Sequence, residues 1–126
     1  MTKEHLTIMY VGEGDGGLAL QRAVESLGWH VYTSTELMQA LGRYVFDYPD
    51  LVILDVEPNS NLAEEVYFHL SPVNTKPLFI LTDETRRGQW HTLVMSPLRV
   101  LSRPIGADEL LTAIFELTEQ QELISV

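Results

Sequence analysis

The sequence predicts an α/β domain in which a parallel sheet is covered by helices on both faces. The first observation is that strand-like apolar runs alternate with amphipathic segments, five times along the chain. The second is that two of these runs, Leu51–Leu54 and Leu78–Leu81, are apolar at every position. Continuous apolar runs are typical of strands buried on both faces of a parallel sheet. We therefore expect five βα units in one domain that spans residues 1–126.

Each strand and helix follows from its local pattern. The predicted strands are Leu6–Val11, Trp29–Thr33, Leu51–Asp55, Leu78–Thr82 and Arg99–Ser102. The first predicted helix carries Leu20, Ala23, Val24 and Leu27, and the second carries Leu37, Ala40, Leu41 and Val45. The third runs from about Leu62 to Leu70, the fourth from about Gln89 to Met95, and the last from Ala107 to Leu117. We expect Gly28 to end the first helix, Ser34 or Thr35 to cap the second, and Ser96-Pro97 to stop the fourth.

Composition narrows the classes of function. The chain has 126 residues and no cysteine, which excludes disulfides and thiolate metal sites. It has no apolar stretch of the length of a membrane span and no secretory signal pattern at its start, so we expect a cytoplasmic protein without a membrane contact. Eighteen acidic residues against eight Lys and Arg give a net charge of −10. Such a surface repels phosphate backbones and argues against direct binding of nucleic acid.

The residues just beyond the strand ends are the candidates for chemistry, since ligands of open α/β sheets bind there. Asp55 directly follows the apolar run of the third strand, while Glu13, Thr82 and Arg103 follow other strands. A carboxylate nucleophile, a second carboxylate, a hydroxyl and a cation would form a phosphoryl-accepting site. The alternative is that Asp55 is a helix-capping or loop aspartate.

Several motifs in this order resemble a receiver domain of two-component signalling, over about Leu6 to Leu117. The motifs are Ile8-Met9-Tyr10-Val11-Gly12-Glu13, Pro49-Asp50-Leu51-Val52-Ile53-Leu54-Asp55, Leu81-Thr82 and Ser102-Arg103-Pro104. The resemblance implies a flavodoxin-like (βα)5 three-layer sandwich with strand order 2-1-3-4-5. It also implies a signalling role without enzymatic activity, other than self-catalysed phosphoryl transfer to Asp55.

By this resemblance, Asp55 is the phosphoacceptor and Thr82 is the switch hydroxyl. Arg103, followed by Pro104 in what is a cis peptide bond in the family, matches the family's active-site lysine. Mg²⁺ would be held by Glu13, Asp55 and the backbone carbonyl of Glu57. The implied partner is a histidine kinase or another signalling protein.

The departures from the family pattern leave two versions of this function open. Gly12 stands where the family has an acidic residue, and arginine at position 103 is not equivalent to lysine. Asp83 would place a negative charge beside an incoming phosphoryl group. The domain is therefore either phosphorylated on Asp55, or it is a pseudo-receiver that binds partners without phosphorylation.

The resemblance also implies a surface for dimerisation or effector contact. In the family this surface is the face formed by the fourth helix, fifth strand and fifth helix, and here it would include Trp90, His91, Arg99 and Leu110 to Leu117. Trp90 is a candidate anchor of a homodimer or partner interface. The alternative is that Trp90 packs its helix on the sheet.

A rival interpretation concerns the glycine-rich loop. Gly12-x-Gly14-x-x-Gly17 between a strand and a helix has the form of a dinucleotide-binding fingerprint, and Glu36 lies about twenty residues further on, where a ribose-binding acid is expected. Glu13 and Asp15 argue against this interpretation, because they place negative charge where a pyrophosphate would bind. A nucleotide-binding Rossmann-like domain remains the alternative function.

Overall fold

The computed structural model describes residues 5–91, 98–103 and 105–125. Five parallel strands form one sheet in the order 2-1-3-4-5. The strands are β1 (Thr7–Val11), β2 (His30–Ser34), β3 (Leu51–Asp55), β4 (Leu78–Thr82) and β5 (Leu98–Ser102). The helices are α1 (Gly16–Val24), α2 (Leu37–Asp47), α3 (Leu62–Leu70), α4 (Glu84–His91) and α5 (Ala107–Ser125). The predicted flavodoxin-like (βα)5 fold is confirmed.

The sheet is buried on both faces, which gives the three layers. Successive side chains of a strand point to opposite faces, so Val52 and Leu54 of β3 enter one core while Leu51 and Ile53 enter the other. The first core lies against α2 and α3, and the second lies against α1 and α5. Tyr10 of β1 belongs to the second core, where it is almost completely buried.

The first helix ends as predicted, whereas the predicted residues do not cap the second. A 3₁₀ turn, Glu25–Leu27, follows α1 and ends at Gly28, whose φ of 73° lies in the left-handed region that favours glycine. Helix α2 begins after Glu36, and no side chain caps it. The predicted capping by Ser34 or Thr35 was wrong: Ser34 belongs to β2, and the Thr35 N–H donates to the Gln39 side-chain oxygen at 2.9 Å.

The predicted start of α4 was also wrong, by five residues. The helix begins at Glu84 rather than near Gln89, because Asp83 acts as its cap. The Asp83 carboxylate accepts hydrogen bonds from the Arg86 N–H at 3.0 Å and the Thr85 hydroxyl at 2.7 Å. The predicted end of this helix, and the predicted cis bond at Pro104, lie outside the described residues.

Trp90 of α4 is a core residue. Its ring is 2% exposed and contacts Tyr67 of α3 edge-on, with the ring centroids 5.2 Å apart. The suggestion that Trp90 anchors an interface was therefore wrong, and the alternative that it packs α4 on the sheet is confirmed. Among the described residues, no helix combines the length and the apolar character that crossing a bilayer requires.

Candidate functional site

The carboxyl edge of the sheet brings three of the predicted site residues together. Asp55 ends β3 and is 6% exposed, while Thr82 ends β4 and is fully buried. Arg103 follows β5, and its backbone N–H donates to the Thr82 carbonyl at 2.8 Å. The Arg103 guanidinium reaches across the edge: Nε lies 3.3 Å from Asp55 Oδ1, and Nη1 donates to the Val56 carbonyl at 3.0 Å. Arginine thus holds the carboxylate and the backbone beyond it at the same time.

A fourth residue, which the sequence analysis did not identify as part of the site, completes this arrangement. The hydroxyl of Tyr10 donates to Asp55 Oδ2 at 2.6 Å, and both side chains are buried. A hydrogen bond from a hydroxyl to a carboxylate at this distance is of the strong, charge-assisted kind. One oxygen of Asp55 is therefore bound by a phenol, while the other faces the guanidinium of Arg103.

Gly12 in the β1–α1 loop and Gly16 and Gly17 at the start of α1 make room for the Tyr10 ring. A Cβ atom on Gly16 would overlap the Tyr10 hydroxyl. A Cβ on Gly17 would lie 3.1 Å from the ring atom Cδ1, and one on Gly12 would lie 3.3 Å from Cε1. These distances are shorter than ordinary van der Waals contacts, so any larger residue would displace the ring. Gly12, Gly16 and Gly17 therefore lie against Tyr10, whereas a Cβ on Gly14 would approach only Glu57 Oε2, at 3.4 Å.

The two glutamates of the predicted metal site lie near the same loop but are arranged differently from expectation. Glu13 is exposed, and its backbone N–H donates to Glu57 Oε1 at 2.6 Å. Glu57, which was expected to contribute only its backbone carbonyl, thus folds its carboxylate over the loop. A Cβ on Gly12 would lie 3.4 Å from Glu57 Oε1, so this carboxylate lies beside the position from which the family's acidic side chain is missing.

These residues, as arranged, do not fit a magnesium ion. Both oxygens of Asp55 face donors, the Glu57 carboxylate is bound to the loop, and Gly12 contributes no ligand. The described part of the chain contains no group of three or more His, Asp or Glu side chains that could hold a metal. The Mg²⁺ site of Glu13, Asp55 and Glu57 stays a prediction.

Burial dominates the electrostatics of the site. It raises the pKa of the Asp55 carboxyl, the Tyr10 hydrogen bond and Arg103 oppose that rise, and Glu57 adds to it. Burial and the Asp55 carboxylate together raise the pKa of Tyr10 well above its ordinary value of 10.0, so the phenol remains a protonated donor. Two buried oxygens, Asp55 Oδ1 and Thr82 Oγ1, accept no hydrogen bond from the described residues.

The Asp55 carboxylate is enclosed by other groups of the site. Attack on phosphorus needs a free oxygen lone pair and an open approach in line with the leaving group. Oδ2 is occupied by Tyr10, and Oδ1 is buried behind Arg103. Asp55 is thus a buried carboxylate whose charge is offset only in part by Tyr10 and Arg103.

Comparison with known proteins identifies the fold. No protein-family model matches the chain, and no curated protein matches its sequence. The receiver domain of Francisella response regulator 1452 matches with a TM-score of 0.73 and 15% identity, over 92% of this chain and 98% of that chain. Chemotaxis response regulator CheY4 of Vibrio cholerae matches with a TM-score of 0.70 and 19% identity, over 89% and 98%. The chain has the receiver fold. A receiver protein from Burkholderia phymatum agrees, with a TM-score of 0.68 and 22% identity over 90% and 95%.

The receiver fold bears directly on the dinucleotide alternative. Its strand order, 2-1-3-4-5, differs from the 3-2-1-4-5-6 order of the dinucleotide-binding fold. Glu36 is an exposed residue at the start of α2, beyond the end of β2, and Gly12, Gly16 and Gly17 lie against Tyr10. Nothing in the described residues supports nucleotide binding at Gly12–Gly17.

Proposed function

We propose that this receiver fold is a pseudo-receiver: a non-enzymatic signalling module that acts through contacts with other proteins, without phosphorylation of Asp55. The observation that carries the proposal is the 2.6 Å hydrogen bond from Tyr10 to Asp55, inside a site where Asp55 is 6% exposed. The residue that would accept a phosphoryl group is already bound to the protein itself.

Phosphorylation of Asp55 is opposed by the contacts that it would break and by the charge that it would meet. Opening the site would break a buried hydrogen bond to a charged group, which is worth about 1.5–3 kcal/mol. It would also pull Arg103 away from both Asp55 and the Val56 carbonyl. A phosphoryl group would then meet the Glu57 carboxylate, without the metal ligand that Gly12 fails to supply. Both effects disfavour the phosphorylated state relative to the unphosphorylated one.

The second candidate is phosphorylation of Asp55 by a histidine kinase, and one observation favours it. The Thr82 hydroxyl is fully buried beside the site and has no hydrogen-bond partner among the described residues. A buried hydroxyl without a partner is costly, and a phosphoryl oxygen on Asp55 would satisfy it. This candidate requires Tyr10 to leave Oδ2 first.

The partners of either version would be signalling proteins in the cytoplasm. The expected contact face of α4, β5 and α5 includes an ion pair between Arg99 and Glu116 at 2.9 Å, which joins the strand to the last helix. Homodimerisation through that face stays a prediction, since the side chain of His91 lies outside the described residues.

The test is direct phosphorylation under forcing conditions. The wild-type protein and Asp55→Asn are incubated with Mg²⁺ and acetyl phosphate, and in parallel with Mg²⁺ and beryllofluoride. Intact-mass spectrometry and amide NMR spectra follow the reaction. We expect no added phosphoryl mass, and no shifts of the Val56 and Thr82 amides, in either protein. A phosphoryl adduct on the wild type that is absent from Asp55→Asn would overturn the proposal and support the second candidate.

A further inference from the structure

Helix α2 has a second apolar face that the fold does not use. Its inner face, with Ala40 buried and Leu37, Leu41 and Tyr44 partly buried, packs on the sheet. Its outer face carries Met38, Gly42, Val45 and Phe46, which recur at helical spacing and are called the α2 face here. Met38, Val45 and Phe46 are 75%, 59% and 80% exposed. A receiver fold that worked alone would gain nothing from a large apolar stripe in water.

Gly42 in the middle of this face has no role within one copy of the chain. Glycine inside a helix is less stable than alanine. A Cβ on Gly42 would meet nothing within 4 Å, so neither crowding nor backbone conformation requires glycine at this position. The remaining physical reason for a glycine here is the close approach of a second backbone from outside.

Charge favours a second copy at the same place. The chain carries a net charge of −10, so two copies repel each other over most of their surface. Between Leu37 and Phe46, α2 contains no acidic residue. Its one cation in that range, Arg43, is paired with Asp47 at 3.4 Å and stacks on the Tyr32 ring at 5.0 Å. Two copies can therefore meet on the α2 face without bringing their acids together.

The α2 face is also complementary to itself. Met38 lies four residues before Gly42, and Phe46 lies four residues after it. If two α2 helices cross antiparallel with their Gly42 residues at the two-fold axis, Met38 of each copy meets Phe46 of the other. A thioether against an aromatic ring is a favourable contact, and the glycines allow close backbone approach. We infer that the α2 face is a homodimer interface, with two α2 helices antiparallel about Gly42.

The size of the face agrees with this role. Together with Tyr48, which is 77% exposed just beyond the helix, the apolar side chains offer roughly 450 Å² per copy. A standard interface takes about 800 Å² from each partner, and somewhat more than half of it is apolar. The polar remainder lies alongside, in Gln39 and Arg43. This interface does not depend on the state of Asp55, so it stands or falls separately from the proposed function.

Site-directed crosslinking tests the geometry, because the natural chain has no cysteine and every disulfide must come from an introduced one. Under mild oxidation, an equimolar mixture of Met38→Cys and Phe46→Cys is expected to form a disulfide dimer at least ten times faster than Phe68→Cys, a control 67% exposed on the neighbouring helix α3. The same mixture should crosslink faster than either variant alone. Equal rates for the mixture and for Phe68→Cys overturn the interface, and faster self-pairing of Met38→Cys overturns the antiparallel register.

Sedimentation equilibrium tests the association itself. We expect the wild type to dimerise, Phe46→Glu to be monomeric, and the matched variant Phe68→Glu to dimerise like the wild type. Gly42→Ala should weaken dimerisation, yet raise the thermal midpoint when placed in the monomeric Phe46→Glu background. Those opposite effects distinguish a contact role from a structural one. A wild type that stays monomeric up to millimolar concentration overturns the inference, and so does a dimer that survives Phe46→Glu.

Discussion

Substitution of Gly16 by alanine probes the packing of Tyr10 against Asp55. The new Cβ would overlap the Tyr10 hydroxyl and lie 2.9 Å from Cζ, so the phenol must move off Asp55 Oδ2. Loss of that hydrogen bond costs about 1.5–3 kcal/mol, and crowding the ring costs about 1–3 kcal/mol. Alanine returns at most about 1 kcal/mol by stiffening the backbone. We expect the free energy of unfolding to fall by about 1.5–5 kcal/mol.

A double-mutant cycle separates this mechanism from a general effect of alanine in α1. Tyr10→Phe removes the same hydrogen bond by itself and should cost about 1.5–3 kcal/mol. In the double variant that bond is lost only once, so the combined loss should be about 2 kcal/mol smaller than the sum of the single losses. Urea unfolding with unchanged m-values measures each term. Gly106→Ala, whose Cβ would meet only a Glu109 oxygen at 4.0 Å, is the control and should add to Tyr10→Phe independently. Strict additivity between Gly16→Ala and Tyr10→Phe would refute the reasoning.

Three further predictions concern the same edge of the sheet. Because burial raises the pKa of Asp55 above its ordinary 3.8, the folded state binds its proton more tightly than the unfolded state. The contribution of Asp55 to stability is thus most favourable at low pH and is lost as pH rises through the raised pKa. Unfolding curves across that range should show that Asp55→Asn gains stability relative to wild type as pH rises. The opposite slope would contradict this. Arg103→Lys should lower the unfolding free energy by about 1 kcal/mol, because an ammonium cannot span Asp55 and the Val56 carbonyl as the guanidinium does; chemical denaturation with no loss would show that the two contacts are idle. Asp83→Ala should cost about 1 kcal/mol through loss of the α4 cap, with faster amide hydrogen exchange at Arg86; unchanged exchange would mean that Asp83 does not hold the helix start.

The fold could be predicted from the sequence because its signals are local. The bounds of β3 and β4 agree with prediction, since each is a continuous apolar run that ends at a polar residue. The start of α4 was predicted too late in the chain, because apolar spacing does not mark it and the helix start depends on the Asp83 side chain. The role of Trp90 depended on packing against α3, which periodicity does not reveal.

The candidate site was predictable only in part. Asp55, Thr82 and Arg103 meet because strand ends of a parallel sheet share one edge. Tyr10 was predicted only to be part of a buried strand, because its hydrogen bond to Asp55 joins residues 45 positions apart. That hydrogen bond also requires glycine at positions close to the ring. A signal was nevertheless present: a large polar aromatic residue inside an apolar strand, followed by a loop rich in glycine.

The fit between Tyr10 and its glycines constrains the order in which this site could change. An aspartate at position 12 would place its Cβ 3.0 Å from the Asp55 Cβ and 3.3 Å from Tyr10 Cε1, so both of these residues would have to shift. A small residue at position 10 would leave a cavity and would deprive the buried Asp55 carboxylate of its hydrogen bond, at a cost of about 3–5 kcal/mol. Neither step is neutral by itself. Tyr10 and Gly12 are therefore coupled, and exchanging either one alone destabilises the site.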